Sequence, residues 1–285
     1  SKWITIAILG VTCVFYTYAL LHGMKGISLL AKSCMYLFFA LLAYVLFLGG
    51  ETRYILETGF AAVGNLAQNF LGLATFTDPQ RTTSFPQTWT IFYWAYWMVW
   101  CVAVPFFIGS ISKGRTLRQV ILGGYVFGLS GTFTSFIIMG NYGLGLQMHG
   151  KLDVLSSYAA DGNLYHAILD ILGQLPLSKA VLILLVLCMI TFYSTSFDSI
   201  TMVASTYTYK KLQSDEEPHR NVKLFWAIFL ILLPLALIFS ENSMSNLQTV
   251  SIIAAFPVGI IMLLIISSFF KDADAYLKEQ ANPPE

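Results

Sequence analysis

Seven stretches of this 285-residue chain are long and apolar enough to cross a lipid bilayer as helices. Crossing about 30 Å of hydrocarbon takes about 20 largely apolar residues. The predicted spans cover residues 3–22, 33–50, 88–112, 118–141, 178–208, 222–240 and 246–270. Only 11% of the residues are charged, against about 25% in soluble domains, which leaves too little polar surface to solvate a globule. The sequence therefore predicts an all-α, multi-span membrane protein and argues against a soluble enzyme or a disordered chain.

The lysines and arginines are distributed unequally between the two sides that the seven spans define. Eleven lie on one side, and five lie on the other, namely Lys2, Arg53, Arg81, Lys151 and Lys179. Because cytoplasmic loops carry an excess of Lys and Arg, the richer side is predicted to be cytoplasmic, together with the C-terminus. Segments 51–87 and 142–177 are then external. The formal net charge of +1 provides no basic surface for nucleic acid.

Each external segment is predicted to contain a helix that does not cross the membrane. In segment 55–73, apolar residues recur at helical spacing and alternate with Glu57, Asn65, Gln68 and Asn69. This pattern is typical of an amphipathic helix that lies along the membrane interface. A second short helix is predicted over residues 163–172.

Segment 89–100 contains four of the six tryptophans, together with two tyrosines and a phenylalanine. Tryptophan favours the membrane–water interface, which explains Trp89 at the predicted external end of its span. Trp97 and Trp100 lie about 12 and 16 Å further along the helix, and they share one face with Tyr93. Aromatic faces at this depth suit a quaternary ammonium, held by cation–π contacts worth about 2 kcal/mol per desolvated ring. The alternative is that these rings pack against lipid or other helices.

Polar residues stand inside the fifth predicted span. Asp198 is the only acidic residue well inside a predicted span, and intramembrane carboxylates are functional candidates by default. A structural pairing with a basic loop residue is the alternative. The neighbouring hydroxyls offer oxygen ligands to a small cation such as Na⁺, or hydrogen-bond to their own helix. These hydroxyls belong to Ser194, Thr195, Ser196 and Ser199.

Other sequence features add little chemistry. The four histidines and four cysteines are scattered, without the spacing of a metal site or a disulfide framework. Pro105 and Gly109 interrupt the third span, either as a structural kink or as a broken helix that borders a transport site. The sequence contains no nucleotide-binding or hydrolase motif, so an ATP-driven pump is not indicated.

The aromatic segment resembles the signature of the betaine/choline/carnitine transporter (BCCT) family, which runs close to W-T-I-F-Y-W-A-W-W-x-x-W. Residues 89–100 read W-T-I-F-Y-W-A-Y-W-M-V-W, and residues 111–116, 23–27 and 195–199 also look like family segments. The resemblance implies a LeuT-like fold with two inverted five-helix repeats. Family members have twelve spans, and this chain is similar to the last seven.

The resemblance also implies how the chain is divided. Residues 1–54 would hold the last two helices of the first repeat. Residues 55–87 would form the connecting amphipathic helix and an external loop. Residues 88–270 would form the second repeat, and residues 271–285 a cytoplasmic tail.

The family's substrate site maps onto the aromatic segment. Trp97 and Trp100 match the aromatic box that binds a trimethylammonium group, and Tyr96 occupies a box position that is usually Trp. Tyr93 lies on the same helix face as the two tryptophans. Trp89 matches a tryptophan near the external vestibule, where some members make a second substrate contact.

The family's Na⁺ site maps onto the fifth span. Thr195 and Ser196 match hydroxyls that bind Na⁺ in Na⁺-coupled members, with the Phe192 carbonyl nearby. Val104 stands where Na⁺-independent carnitine exchangers place a methionine, which favours Na⁺ coupling. Residues 101–105 and Ser110 depart from the common family sequence.

The resemblance implies a secondary transporter in the cell membrane that imports glycine betaine, carnitine or choline by Na⁺ symport and alternating access. It implies no catalysis and no cofactor besides Na⁺, and relatives are often trimers, which implies a homotrimer. A Na⁺-independent exchanger of carnitine-like betaines is the alternative within the family. A membrane-embedded enzyme acting on choline-type head groups is more distant, because Asp198 alone makes no acid–base set. A channel would need more polar residues within its spans.

Overall fold

A computed structural model describes residues 2–161, 164–210, 216–237 and 243–281. These residues form twelve α-helices and two π-helical segments, Pro86–Thr90 and Phe136–Gly140, and they contain no strand. The α-helices are α1 Lys2–Leu21, α2 Gly23–Leu48, α3 Thr52–Gln68, α4 Phe70–Ala74, α5 Ile91–Ile111, α6 Leu117–Ser135, α7 Asn141–Met148, α8 Val154–Asp161, α9 Leu164–Gly173, α10 Ser178–Tyr207, α11 Arg220–Leu237 and α12 Ser243–Ala281. The prediction of an all-α fold is confirmed.

Five helical stretches of the described residues are long and apolar enough to cross a membrane. They are Trp3–Leu21, Lys25–Leu48, Leu117–Met148, Ser178–Tyr207 and Gln248–Ala281, and they coincide with five of the seven predicted spans. The other two predicted spans, 88–112 and 222–240, correspond to α5 and α11. The part of helix α11 that the structure describes has 18 residues and begins with Arg220, so fewer than the roughly 20 apolar residues of a typical span are described there. The count of seven spans stays a prediction.

The helices in the two segments that are predicted to be external largely follow the predicted pattern. The helix predicted over 163–172 is α9, with Asn163 outside the described residues. The single amphipathic helix predicted over 55–73 is instead two helices, α3 and α4, which are separated at Asn69. The Asn69 amide donates to both the backbone carbonyl and the side-chain oxygen of Asn65, and such local bonds compete with a continuous helix.

The chain falls into two compact units. The first comprises Ser1–Thr75 and Gly114–Leu232, where α10 packs against α1 and α2, and α3 packs against α7. Its apolar core includes Val45, Ile55, Tyr142 and Cys188. The second comprises Phe76–Lys113 and Leu233–Glu285, where α5 packs along α12. The predicted division of the chain into repeats at residues 54, 87 and 270 stays a prediction.

Candidate functional site

A tightly bonded loop leads into the aromatic helix. The buried Asp78 carboxylate accepts five hydrogen bonds of 2.8–3.0 Å from Thr82, Thr83 and Ser84. These bonds, above all that from the Thr83 backbone, hold the pKa of Asp78 well below its usual range, although burial opposes the shift. The Gln87 side chain donates to the Thr77 carbonyl at 3.0 Å. This loop therefore fixes the chain immediately before α5.

The predicted substrate residues form a ladder of rings over residues 89–100, in which Phe92 joins Tyr93 to Tyr96. Trp89 and Tyr93 are stacked, with 6.2 Å between their ring centroids. Tyr96 lies edge-on to both Trp97, at 5.9 Å, and Trp100, at 6.1 Å. The structure thus brings Tyr96 together with both tryptophans, whereas the sequence analysis emphasised the face of Tyr93, Trp97 and Trp100.

Much of the ring surface is open in its own unit. Trp97 is 62% exposed, and Trp89, Tyr93 and Tyr96 are also exposed. The small residue Ala95 on the same helix is buried, and a Cβ at Gly259 on α12 would lie 3.8 Å from the Met98 sulfur. Small residues let helices approach closely in membranes. Helix α5 thus packs along α12, while several of its rings remain exposed.

Helix α5 continues through Pro105 to Ile111. Of the two interpretations of Pro105, a kink within a helix fits this geometry better than a break. Upstream of the proline, the Cys101 thiol donates to the Trp97 carbonyl at 3.4 Å.

The predicted Na⁺ ligands lie on α10, which packs on α2 through an edge-to-face contact between Phe38 and Phe192. The Thr195 hydroxyl donates to the Phe192 carbonyl at 2.8 Å, so the structure brings these two predicted ligands together. Ser196 is exposed in its own unit. The Thr195 carbonyl accepts a hydrogen bond of 2.8 Å from Ser199.

Asp198 and Ser194 are fully buried on one face of α10. One Asp198 oxygen faces the Ser199 hydroxyl at 3.1 Å. The other, Oδ2, and the Ser194 hydroxyl have no hydrogen-bond partner among the described residues. Further along the same face, the buried hydroxyls of Thr201 and Ser205 both donate to backbone carbonyls of their own helix. Ser194 and Asp198 thus differ from their neighbours in having unsatisfied oxygens.

The histidine, cysteine, aspartate and glutamate side chains of the described residues do not gather into larger clusters. No group of three or more His, Cys, Asp or Glu side chains is placed there to hold a metal ion. All four cysteines are free, and Cys34 and Cys188 are buried.

A buried carboxylate outside the predicted sites was missed by the sequence analysis. Oε1 of Glu51 pairs with the Lys151 ammonium at 2.6 Å, and Oε2 lies 2.8 Å from Nδ1 of His149. Burial alone would raise the pKa of Glu51, but hydrogen bonds from Lys151 and His149 outweigh it and lower the pKa. Nothing in the sequence links residues almost 100 positions apart, so this cluster emerges only from the fold.

Residues 1–278 match the sequence profile of the betaine/carnitine/choline transporters, BCCT. The chain belongs to this family. The resemblance carried by segment 89–100 is thereby confirmed along nearly the whole chain. Family membership and the five apolar helices show a multi-pass membrane protein. The members for which this family is named are transporters.

Three curated relatives are named for different substrates. A carnitine transporter of Acinetobacter baumannii is 30% identical over 91% of this chain and 47% of its own length. The glycine betaine transporter OpuD of Bacillus subtilis is 31% identical over 96% of this chain and 52% of its own. A high-affinity choline transport protein of Escherichia coli is 26% identical over 97% and 41%. The chain spans about half the length of the curated relatives it matches.

Proposed function

We propose that this chain forms the part of a secondary transporter that binds a quaternary-ammonium solute, namely glycine betaine, carnitine or choline. The observation that carries this proposal is the open ladder of rings on α5 in a chain of the BCCT family. Relatives named for all three solutes support the substrate class and leave the choice among them to experiment.

The rings of Tyr96, Trp97 and Trp100 enclose the cationic head group in this proposal. A trimethylammonium group donates no hydrogen bond, so an electron-rich ring face is its natural partner. The two edge-to-face contacts of Tyr96 fix the relative orientation of the three rings. The stacked pair of Trp89 and Tyr93 lies at the beginning of the ladder and would contact the solute on its way in.

Na⁺ is the proposed coupling ion, and Thr195, Ser196 and the Phe192 carbonyl are its ligands on α10. A hydroxyl that donates its hydrogen still offers lone pairs to a cation, so the bond from Thr195 to Phe192 does not prevent binding. Ser196 contributes an exposed oxygen on the next face. Ion binding favours one conformation of the alternating-access cycle and thereby couples the two sites.

The proposal also includes the setting of the transporter. The protein lies in the cell membrane as a homotrimer with a cytoplasmic C-terminus, and it needs no cofactor besides Na⁺. The distribution of lysine and arginine supports the orientation. The exchanger of carnitine-like betaines that works without Na⁺ is the second candidate, and one relative is named as a carnitine transporter.

Uptake into liposomes that contain the purified protein tests the proposal. Labelled glycine betaine, carnitine and choline are supplied separately, with an inward Na⁺ gradient or with K⁺ in its place. We expect at least one solute to accumulate with Na⁺ only. Counterflow of carnitine in Na⁺-free vesicles would favour the exchanger, and lack of uptake of all three solutes would contradict the transporter.

A further inference from the structure

Ser194 and Asp198 combine complete burial with unsatisfied oxygens. Both residues are fully buried, and the Ser194 hydroxyl oxygen and Oδ2 of Asp198 have no hydrogen-bond partner among the described residues. The two oxygens are therefore not hydrogen-bonded to each other. Residues four positions apart share one face of a helix, with Cβ atoms about 5–6 Å apart. The two side chains thus form one buried polar patch on α10.

The buried hydroxyls that α1 brings into this region are already engaged. Helix α1 packs against α10, and the Tyr16 ring stacks on Phe197, the residue before Asp198, with 5.4 Å between ring centroids. The Tyr16 hydroxyl donates to the Ala227 carbonyl on α11. The Thr12 hydroxyl donates to a carbonyl of its own helix at 2.8 Å. The hydrogens of these two hydroxyls are therefore not available to Asp198.

Asp198 differs from the other buried carboxylates in the part of the chain that the structure describes. Glu51 is paired with Lys151 at 2.6 Å, and Asp78 accepts five hydrogen bonds. The basic residue that is buried among the described residues, Lys223, already forms an ion pair with a different carboxylate. Buried charges in proteins are paired or coordinate a metal ion. The described residues supply no such pairing for Asp198.

The Ser199 hydroxyl connects the patch with the proposed Na⁺ ligands on α10. It lies 2.8 Å from the Thr195 carbonyl and 3.1 Å from Oδ1 of Asp198. A hydroxyl has a single hydrogen, so Ser199 cannot fully satisfy both acceptors, and the shorter distance favours the Thr195 carbonyl. Asp198 therefore retains acceptor capacity on both of its oxygens.

A small monovalent cation fits this patch better than a proton or a water molecule. Carboxylate and hydroxyl oxygens are hard ligands of the kind that Ca²⁺ takes at about 2.3–2.6 Å, and Na⁺ is close to Ca²⁺ in size. A proton on Oδ2 would neutralise Asp198 but leave the Ser194 hydroxyl without a partner. A water molecule would leave the charge of the carboxylate uncompensated. One cation between the two side chains satisfies both oxygens and the charge.

We propose that Ser194 and Asp198 bind a Na⁺ ion of their own, in addition to the ion assigned to Thr195, Ser196 and the Phe192 carbonyl. The ion compensates the buried carboxylate, and the Ser199 hydroxyl links it to the backbone of the neighbouring site. Only the coupling of this ion to solute uptake rests on the proposed function. Binding of Na⁺ by the purified protein does not.

The first test counts the Na⁺ ions that the purified protein binds at equilibrium, measured with radioactive Na⁺ in K⁺ buffer without solute. We expect Asp198→Asn to bind one Na⁺ fewer per chain than the unaltered protein. Ser194→Ala should weaken the binding of one ion about tenfold, because a bond to a charged group is worth about 1.5–3 kcal/mol. Thr201→Val removes an engaged hydroxyl from the same face and should bind as many ions as the unaltered protein. An unchanged count in Asp198→Asn would overturn the proposal.

The second test compares melting temperatures in Na⁺ buffer and K⁺ buffer, which separates ion binding from packing. An ion that binds only the folded protein stabilises it, and we expect Na⁺ to raise Tm of the unaltered protein and of Thr201→Val by about 2–4 °C. In Ser194→Ala and Asp198→Asn the rise should fall to half or less. Their Tm in K⁺ buffer should not be lowered, because each variant removes an unsatisfied buried oxygen or its charge. An equal loss of Tm in both buffers would mean that the pair serves packing, and would contradict an ion site.

Uptake measurements separate this site from the proposed function. If Asp198→Asn loses one bound Na⁺ but the unaltered protein transports none of the three solutes, the ion site stands and the proposed function fails. If a Na⁺ gradient drives uptake but Asp198→Asn binds as many ions as the unaltered protein, the transporter stands and the ion site is overturned.

Discussion

Helices α5 and α10 carry the two proposed binding sites, and they differ in how their functional side chains are satisfied. On α5 the rings contact one another and remain partly exposed. On α10 most hydroxyls donate to carbonyls of their own helix, as Thr195 does to Phe192. Aromatic rings have few hydrogen-bond requirements, whereas a hydroxyl at membrane depth needs an acceptor. An aromatic site can therefore bind a ligand without losing a hydrogen bond, whereas the hydroxyls of the other site already donate to backbone carbonyls of their own helix.

Ser194 and Asp198 are the exception among the buried polar residues of α10. The Ser194 hydroxyl and Oδ2 of Asp198 have no hydrogen-bond partner among the described residues. In this respect they resemble the rings of α5, which also make no hydrogen bond that a ligand would have to replace. A ligand gains the most binding free energy at groups whose hydrogen bonds are unsatisfied. Such groups therefore indicate a binding site better than polar groups in general.

The largest expected effect is on the open rings. Trp97→Ala should lower the apparent affinity for solute about 30-fold, because one desolvated ring contributes about 2 kcal/mol. Trp94→Ala removes an equally exposed ring outside the ladder of the site and should change the affinity less than threefold. Uptake as a function of solute concentration measures both. Equal losses in the two variants would mean that the rings serve lipid packing.

A smaller effect is expected at Thr195, whose hydroxyl already donates to the Phe192 carbonyl. Thr195→Ala should raise the Na⁺ concentration for half-maximal uptake about tenfold, because a bond to a charged group is worth about 1.5–3 kcal/mol. Thr191→Ala is the matched control, since its hydroxyl also donates to carbonyls of its own helix, those of Leu187 and Cys188. The Na⁺ dependence of uptake should be normal in Thr191→Ala. An unchanged Na⁺ dependence in Thr195→Ala would exclude this residue as a ligand.

Asp198 offers a third contrast on α10 itself. Asp198→Asn keeps the shape and removes the acidic group one turn from Thr195, so the half-saturating Na⁺ concentration should rise about threefold through the lost attraction. Thr201→Val removes a buried hydroxyl on the same face that is already satisfied, and its Na⁺ dependence should not change. A similar shift in both variants would indicate a general packing effect.

The smallest effect concerns the loop before α5. Asp78→Asn weakens the five hydrogen bonds and should lower Tm by a few degrees. Because the pKa of Asp78 is lowered, its contribution is fully present above about pH 4 and is lost only as pH falls through that lowered pKa. The difference in Tm from the unaltered protein should thus be constant between pH 5 and pH 8. A difference that varies over this range would contradict the assigned protonation state.

The sequence was sufficient to predict the features that depend on local spacing. The apolar periodicity located the long helices, and segment 89–100 indicated both the family and the ring cluster. The precise ring contacts were not predictable from face assignments, because Tyr96 is large enough to reach Trp97 beside it as well as Trp100 one turn on. The break at Asn69 results from a local side-chain bond that a hydropathy pattern does not register.

Contacts between distant residues were beyond the sequence analysis. The sequence indicated Asp198 as unusual, but only the fold shows that it shares a fully buried face with Ser194. In the sequence, Glu51 looks like an ordinary loop residue, and only the fold shows that it lies beside His149 and Lys151. Such pairings depend on how helices pack, and a single sequence carries no record of that packing.

The central claim is that the open rings of α5 recognise positive charge. It is tested most directly by comparing glycine betaine with 3,3-dimethylbutanoate, which has the same shape and carboxylate but a neutral carbon in place of the ammonium nitrogen. Both compete against uptake of the labelled solute that the protein transports. We predict that glycine betaine competes at least about tenfold more strongly, because cation–π attraction requires the charge. Equal competition by the two compounds would contradict the claim.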